Sequence, residues 1–154
     1  MTDEPLAVLC ETPLGPLGAD AQDGQISHLR WGRGQLASGP LFDRLRDEIN
    51  AYFSGDLTRF TVPLAVTGTP FQRAFLQALI DIPFGETRTY GDLAADLSVS
   101  AQAIGQACGA NPIPILIPCH RVLGQDSLGG FSGPHGIEDK VALLRLERAA
   151  GLLI

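Results

Sequence analysis

The sequence predicts an α+β protein in two parts, a small α/β amino-terminal lobe over residues 1–66 and a mostly helical carboxy-terminal domain over residues 70–154. Short runs of alternating apolar and polar residues between turn formers fill the first part. Helical periodicity dominates from residue 70 onward, and the segment 67–70 between them (Thr-Gly-Thr-Pro) has the composition of a linker.

Leu6 to Cys10, residues 15–18 and Gln25 to Trp31 read as two or three antiparallel strands. Phe42, Leu45, Ile49 and Phe53 recur at helical spacing, which predicts a helix from Phe42 to Phe53 that ends at Gly55. Thr61 to Val66 resembles one more strand. In the second part, Pro70 to Ile80 is a helix with Phe71, Ala74, Phe75, Ala78 and Leu79 facing inward, closed by a turn over 82–85. Tyr90 to Leu97 is a short helix with Thr89 as its cap, residues 98–100 form a tight turn, and Ser100 caps a third helix through Cys108. Two short helices across a three-residue turn match helix-turn-helix spacing, although most such hairpins are packing units. The third helix carries Ala101, Ala103, Gly105, Ala107 and Gly109 and no charge, so a partner backbone can come very close, whether another helix or a ligand. Glu138 to Leu153 is a terminal amphipathic helix with Val141, Leu144, Leu146 and Leu152 on its docking face.

With 154 residues, 45% of them hydrophobic, the chain can bury a core, and no apolar run approaches the ~18 residues of a membrane helix. Residues 1–5 lack the basic and apolar regions of a signal peptide, so a cytoplasmic, monomeric protein without a membrane partner is expected. Cys10, Cys108 and Cys119 are odd in number and form no Cys-x-x-Cys pair, which favours free thiols over a disulfide scaffold or zinc site. No metal or other cofactor is expected; His28 and His135 read as surface residues, Trp31 as core and Cys10 as a packed strand residue. The net charge of −6 argues against a strongly basic nucleic-acid binder, because Lys and Arg supply most non-specific affinity for phosphate. It does not exclude a small footprint with few phosphate contacts.

The most informative stretch is 111–122, Asn-Pro-Ile-Pro-Ile-Leu-Ile-Pro-Cys-His-Arg-Val. Prolines at 112, 114 and 118 stiffen it and remove amide donors, which predicts a short constrained strand that fixes Cys119. A thiol becomes a strong nucleophile only as thiolate, and the adjacent His120 can accept its proton directly or through one water. An acidic third group would orient that imidazole; Glu147 is a candidate alongside Glu138 and Asp139.

Residues 111–122 resemble the active-site signature of the O6-alkylguanine-DNA alkyltransferases, the methylated-DNA-protein-cysteine methyltransferases. The likeness runs from about residue 69 to 149, through Thr89-Tyr-Gly-Asp-Leu93, the small-residue helix, Gly129-Gly-Phe-Ser-Gly133 and the segment Lys140 to Glu147. The amino-terminal lobe is similar only loosely. The resemblance implies a ribonuclease-H-like first lobe and a winged-helix-like helix-turn-helix domain that binds alkylated DNA from the minor groove, with the target base turned out of the duplex. It implies direct-reversal repair: Cys119 takes an alkyl group from O6 of guanine, and by extension O4 of thymine, irreversibly and once per molecule. By position, Glu147 matches the family's carboxylate, His120 its water-mediated base, Asn111 the brace of the active-site turn and Tyr90 the tyrosine that bonds the purine. Ser132 would face O6 through its amide, the carbonyls of Cys119 and Val122 would accept from the exocyclic amine, Gly130 would belong to the same base site, and Pro114 would line the alkyl pocket. Ala101, Gln102, Ala103, Gly105 and Arg121 would meet the DNA. Gln102 stands where many relatives carry an arginine that fills the gap left by the flipped base, which suggests weaker flipping from duplex DNA.

Three rival readings stand beside this one. A non-catalytic lesion binder of the alkyltransferase-like type shares the scaffold but lacks the cysteine, a cysteine hydrolase would use Cys119, His120 and Glu147, and a protein-interaction module would use none of them. A hydrolase also needs an oxyanion hole and more often draws its nucleophile and base from separate elements.

Overall fold

Turn chemistry sets the first unit. Thr12 donates its hydroxyl to the Gly15 carbonyl at 2.7 Å, and the Asp23-Gly24 pair, with φ of 53° and 76°, makes a two-residue hairpin turn that both residues enter with positive φ. These turns join β1 (Cys10–Thr12), β2 (Gly15–Gln22) and β3 (Gln25–Trp31) into an antiparallel sheet in the order β1-β2-β3. Leu17, Ala19, Ile26 and Leu29 are buried, and α1 (Pro40–Phe53) buries Phe42, Leu45, Ile49 and Tyr52. The fourth member of that stripe is thus Tyr52, where Phe53 was expected; a spacing of 3, 4 and 3 follows the 3.6-residue period more closely than 3, 4 and 4. The computed structural model describes residues 6–36 and 38–151, and the chain divides into two compact units between Ala65 and Val66.

Thr61 to Val66 is not a strand. It makes one bridge, with the Ile26 amide donating to Pro63 at 2.9 Å and the Ala65 amide donating to Ile26 at 2.9 Å. Pro63 has no amide to extend the ladder. Trp31 is half-buried rather than core, and Leu6 to Cys10 contributes an Ala7–Gly34 bridge and a bond from the Leu9 amide to the Leu17 carbonyl at 2.7 Å before β1 begins. Gly18 and Gly34 mark a close crossing of backbones. A Cβ on Gly18 would run into the amide nitrogen of Gly34, and one on Gly34 would sit 2.6 Å from the Ala19 nitrogen.

The second unit begins with α2 (Pro70–Ile80), closed at its start by a reciprocal Thr69–Gln72 capping box. Its buried face is Phe75, Leu76 and Leu79; Ala74, expected inside, is exposed because Leu76 takes the inner position. A second capping box, Thr89 with Asp92, opens α3 (Tyr90–Leu97), and Ser98 in the left-handed region at φ 57° turns the chain toward α4 (Ala101–Gly109). Ser100 caps α4 by accepting from the Ala103 amide at 3.0 Å, and the helix runs one residue beyond Cys108. Helix α3 packs against both α2 and α4. The two-residue strands β4 (Arg88–Thr89) and β5 (Val122–Leu123) pair in parallel, which seats the first residue of α3, Tyr90, beside the segment that follows Cys119.

Helix α5 (Ile137–Leu146) is shorter than expected. Its last turn closes when Arg148 enters the left-handed region at φ 54°, with the Ala149 amide donating to Leu144 at 2.9 Å and the Arg148 amide to Arg145 at 3.0 Å. Leu152 and Leu153 lie outside the described residues, as do residues 1–5. The buried face of α5 is Asp139, Lys140, Leu143 and Leu144, with Val141 and Leu146 half-buried at its edges. No helix among the described residues is long and apolar enough to cross a membrane.

Gly18→Ala should lower stability by about 1–3 kcal/mol, because the added methyl overlaps backbone that has no rotamer to yield. Urea unfolding of the two proteins followed by far-UV circular dichroism measures the difference; an unchanged midpoint would show that the crossing can open at no cost.

Candidate active site

Residues 111–118 form a tight turn where a strand was expected. With Pro112, Pro114 and Pro118 lacking amide donors, the backbone bonds locally: Ile117 donates to Ile113 at 2.9 Å, Leu116 to Pro114 at 2.9 Å and Cys119 to Ile117 at 2.8 Å. Ile115 sits at φ 74° in this turn. Asn111 closes it, donating from Nδ2 to the Ile117 carbonyl at 2.8 Å and accepting from the Ile113 amide at 3.0 Å. Cys119, His120 and Arg121 then form one turn of 3-10 helix before β5. That turn keeps both Cys119 and His120 buried, at 8% and 0% exposure.

Glu147 at the carboxy-terminal cap of α5 organises the interior of the site. His120 Nε2 lies 2.7 Å from Glu147 Oε2, while Arg121 donates from Nε to Oε1 at 2.7 Å and from Nη2 to Oε2 at 3.0 Å. The third nitrogen of Arg121 donates to the Ile82 carbonyl at 2.6 Å, and its guanidinium stands 5.9 Å from the Phe84 ring centre. Relative exposure is 0% for His120, 2% for Glu147 and 7% for Arg121, so water screens none of these contacts. Burial alone would raise the Glu147 carboxyl, but the bonds from His120 and then Arg121 hold it at about 2. Burial pushes the His120 pKa down despite the carboxylate, which leaves the ring neutral. A neutral ring that donates from Nε2 to an ionised Glu147 exposes an acceptor lone pair on Nδ1, and that atom is buried with no partner among the described residues.

Arg121 was expected at the DNA interface. The structure directs it inward instead, where three bonds inside the protein consume its fork. Glu138 and Asp139, the alternatives to Glu147, do not meet the histidine: Glu138 is exposed and Asp139 bonds His135.

A cavity of about 320 Å³ opens beside Cys119, lined also by Tyr90, Gly105, Cys108, Gly109, Gly130, Phe131 and Ser132. Gly129 brings the Tyr90 ring close, since a Cβ there would collide with the tyrosine hydroxyl. Pro114 and Val122 are not among the lining residues; Pro114 belongs to the turn, and the Val122 carbonyl already accepts from Lys140 Nζ at 2.6 Å. On α4, Ala101, Gln102, Gly105 and Gly109 are exposed, whereas Ala103 and Ala107 are half-buried and line a separate cavity against α2. A Cβ at Gly105 or Gly109 would meet nothing within 4 Å, so the helix face leading to the cavity is open rather than crowded.

Burial raises the Cys119 thiol, and the Asn111 hydrogen bond and the charge of Lys140 oppose that rise. Lys140 was missed. It is fully buried, donates to the carbonyls of Val122 and Gly130 (3.1 Å for the latter), and holds its ammonium 5.8 Å from the Tyr90 ring centre, so one cation fastens three walls of the site. Residues 140, 143, 144 and 147 share one helix face, and a lysine in that apolar row was the available signal. Among the described residues no group of three or more His, Cys, Asp or Glu side chains is arranged to hold a metal.

Comparison with known proteins places this geometry. Residues 70–149 match the model of the 6-O-methylguanine DNA methyltransferase DNA-binding domain. The methylated-DNA–protein-cysteine methyltransferase of Mycobacterium tuberculosis is 41% identical over 150 residues, covering 90% of each chain, and that of Haemophilus influenzae is 39% identical over 89% of this chain and 83% of its own. The crystal structure of the M. tuberculosis OGT in complex with DNA superposes with a TM-score of 0.80 at 41% identity, over 91% of this chain and 92% of that one. An O6-methylguanine DNA methyltransferase from Methanococcus jannaschii gives a TM-score of 0.70 at 28% identity, over 97% and 96%.

Acid should unfold the protein through the Glu147 cluster. A carboxyl whose folded pKa is about 2 against an ordinary 4.5 stabilises fully above 4.5 and loses that contribution as pH falls toward 2. His120, depressed below 6.5, adds a loss that begins as pH falls below that value. Glu147→Gln should cost about 3–5 kcal/mol at pH 7 by leaving Arg121 buried without its counter-charge, and should flatten the curve between pH 4.5 and 2. Urea midpoints from pH 2 to 8 measure both; an equally steep acid limb in the variant would contradict the assignment.

Proposed function

The chain belongs to the 6-O-methylguanine DNA methyltransferase family, and from that premise we propose that Cys119 is its alkyl acceptor. The protein repairs DNA by direct reversal, moving an alkyl group from guanine O6 to a cysteine. The observation that carries the assignment is the position of Cys119 on the cavity, followed in the chain by a fully buried His120 whose Nδ1 has no partner among the described residues.

The proton of the Cys119 thiol passes to His120 Nδ1 through one water, and Glu147 stabilises the resulting imidazolium. The thiolate attacks the alkyl carbon in line, the sulfur–carbon bond forms and the carbon–O6 bond breaks. Its electron pair goes to guanine, which takes up through water the proton held by His120, with Tyr90 hydrogen-bonded to the ring. Ser132 turns its amide to O6, Gly130 flanks the base, and the Cys119 carbonyl accepts from the exocyclic amine together with the second lone pair of the Val122 carbonyl. Lys140, by holding that carbonyl, fixes its direction. The thioether has no route back, so each molecule acts once.

Residues 70–154 form the DNA-binding and alkyl-acceptor domain, with α3 and α4 as the helix-turn-helix of a winged-helix-like fold, and the amino-terminal unit is a reduced ribonuclease-H-like lobe. The open face of α4, with Ala101, Gln102 and Gly105 exposed, enters the minor groove and supports extrusion of the damaged base into the cavity. Gln102 fills the gap. Its short uncharged side chain holds the duplex open less firmly than an arginine would. The protein acts in the cytoplasm as a monomer and uses no cofactor.

Incubation with an O6-methylguanine oligonucleotide should add one group of ~14 Da, mapping to Cys119, and Cys119→Ala should add none while still binding DNA. Binding by the wild-type chain without an adduct would turn the reading to a lesion sensor. Gln102→Arg should react about tenfold faster on duplex DNA with the rate on free methylguanine unchanged. Equal duplex rates would remove Gln102 from the flipping step.

A further inference from the structure

Cys108 stands on the acceptor's own cavity and takes no part in alkyl transfer. It lies in the last turn of α4, half-buried, and lines the same 320 Å³ space as Cys119. A negative charge on either thiol would stabilise the Lys140 ammonium and oppose ionisation of Tyr90, which lines the same cavity. Two sulfurs, one cation and one small enclosure are an arrangement that a lone packed cysteine does not produce. Burial, and then the charge of an ionised Cys119, push the Cys108 thiol up to about 12, so Cys108 keeps its proton. In a pair of thiols on one cavity, one sulfur can attack an electrophile and the other resolve the product. The third free thiol, Cys10, is on β1 of the other unit.

We propose that Cys108 is a resolving cysteine that converts oxidised Cys119 into a reversible Cys108–Cys119 disulfide. Hydrogen peroxide is small enough to enter a cavity shaped for a base. The Cys119 thiolate attacks one peroxide oxygen, the sulfur–oxygen bond forms, the oxygen–oxygen bond breaks, and hydroxide leaves as water with the thiol's former proton. Cys108 then attacks the sulfenic sulfur. The sulfur–sulfur bond forms, and the hydroxyl leaves with the Cys108 proton as a second water, so two electrons have passed from the thiol pair to the peroxide. A dithiol reductant restores both thiols. Without a resolving partner the sulfenic acid proceeds to sulfinic and sulfonic acids, which no thiol reverses. A molecule that can react only once would be lost without having repaired anything. The consequence for repair rests on Cys119 being the acceptor; the disulfide itself does not.

The full-length protein is treated with a small excess of hydrogen peroxide, quenched, and read by intact mass, non-reducing peptide mapping and methyl acceptance, each protein against its own reduced form. The wild-type chain should become ~2 Da lighter with the Cys108 and Cys119 peptides joined, lose methyl acceptance about tenfold or more, and recover it with dithiothreitol. Cys108→Ser should instead gain ~32 or ~48 Da on Cys119 and fail to recover. Cys108→Ala serves as the second variant, so that a folding fault in either one does not decide the matter. Equal rates of irreversible Cys119 oxidation in wild type and variants, with no joined peptide, would overturn the proposal. A joined peptide in a chain whose reduced form accepts no methyl would leave the disulfide standing and refute the acceptor assignment alone.

Discussion

The buried carboxylate of Glu147 is the constraint on which the site depends. An ionised group out of water is tolerated only when its oxygens are fully engaged, and here His120 and Arg121 engage both. Because Arg121 also donates to Ile82, the one carboxylate ties the end of α5, the turn carrying Cys119 and the segment after α2 together. The same bond fixes the histidine tautomer, and the tautomer decides that Nδ1 is the atom free to take a proton. Structure and reactivity share a single cause.

Around that anchor the segment leading to Cys119 is held by denial of alternatives. Three prolines within seven residues leave too few amides for a ladder, so residues 111–118 close on themselves and Asn111 supplies the missing partners. The β4–β5 pairing is only two residues on each strand, yet it is enough to bring Tyr90 to the segment leaving the acceptor. A short parallel pair adds little stability alone. Its value lies in position, with Lys140 clamping the carbonyls on either side.

Much of this was legible in the sequence because local rules and tertiary packing agree. Pro70 to Ile80 and Tyr90 to Leu97 carry their caps in Thr69, Gln72, Thr89 and Asp92, and the helices run between the expected residues. Where the reading failed, a polar group was doing work that a pattern of apolar residues does not encode. Proline-rich apolar residues at 112–118 looked like a strand because the run is buried, but burial does not distinguish a turn from a strand. Arg121 was placed at the DNA under the family resemblance; only the folded chain supplies the carboxylate that draws it inside. The end of α5 at Leu146 is invisible for a similar reason, since its left-handed residue is Arg148, not a glycine.

The charges in the interior set the resting state of this buried thiol. Burial raises the Cys119 thiol and lowers the Lys140 ammonium, so it favours the neutral form of each. Ionising the thiol relieves both, because the thiolate gives Lys140 the counter-charge that its two carbonyl partners do not. The proton must nevertheless go somewhere, and the acceptor at hand is a histidine whose own pKa is depressed by burial. Burial therefore opposes thiolate formation at both ends, on the thiol that gives up the proton and on the ring that would take it.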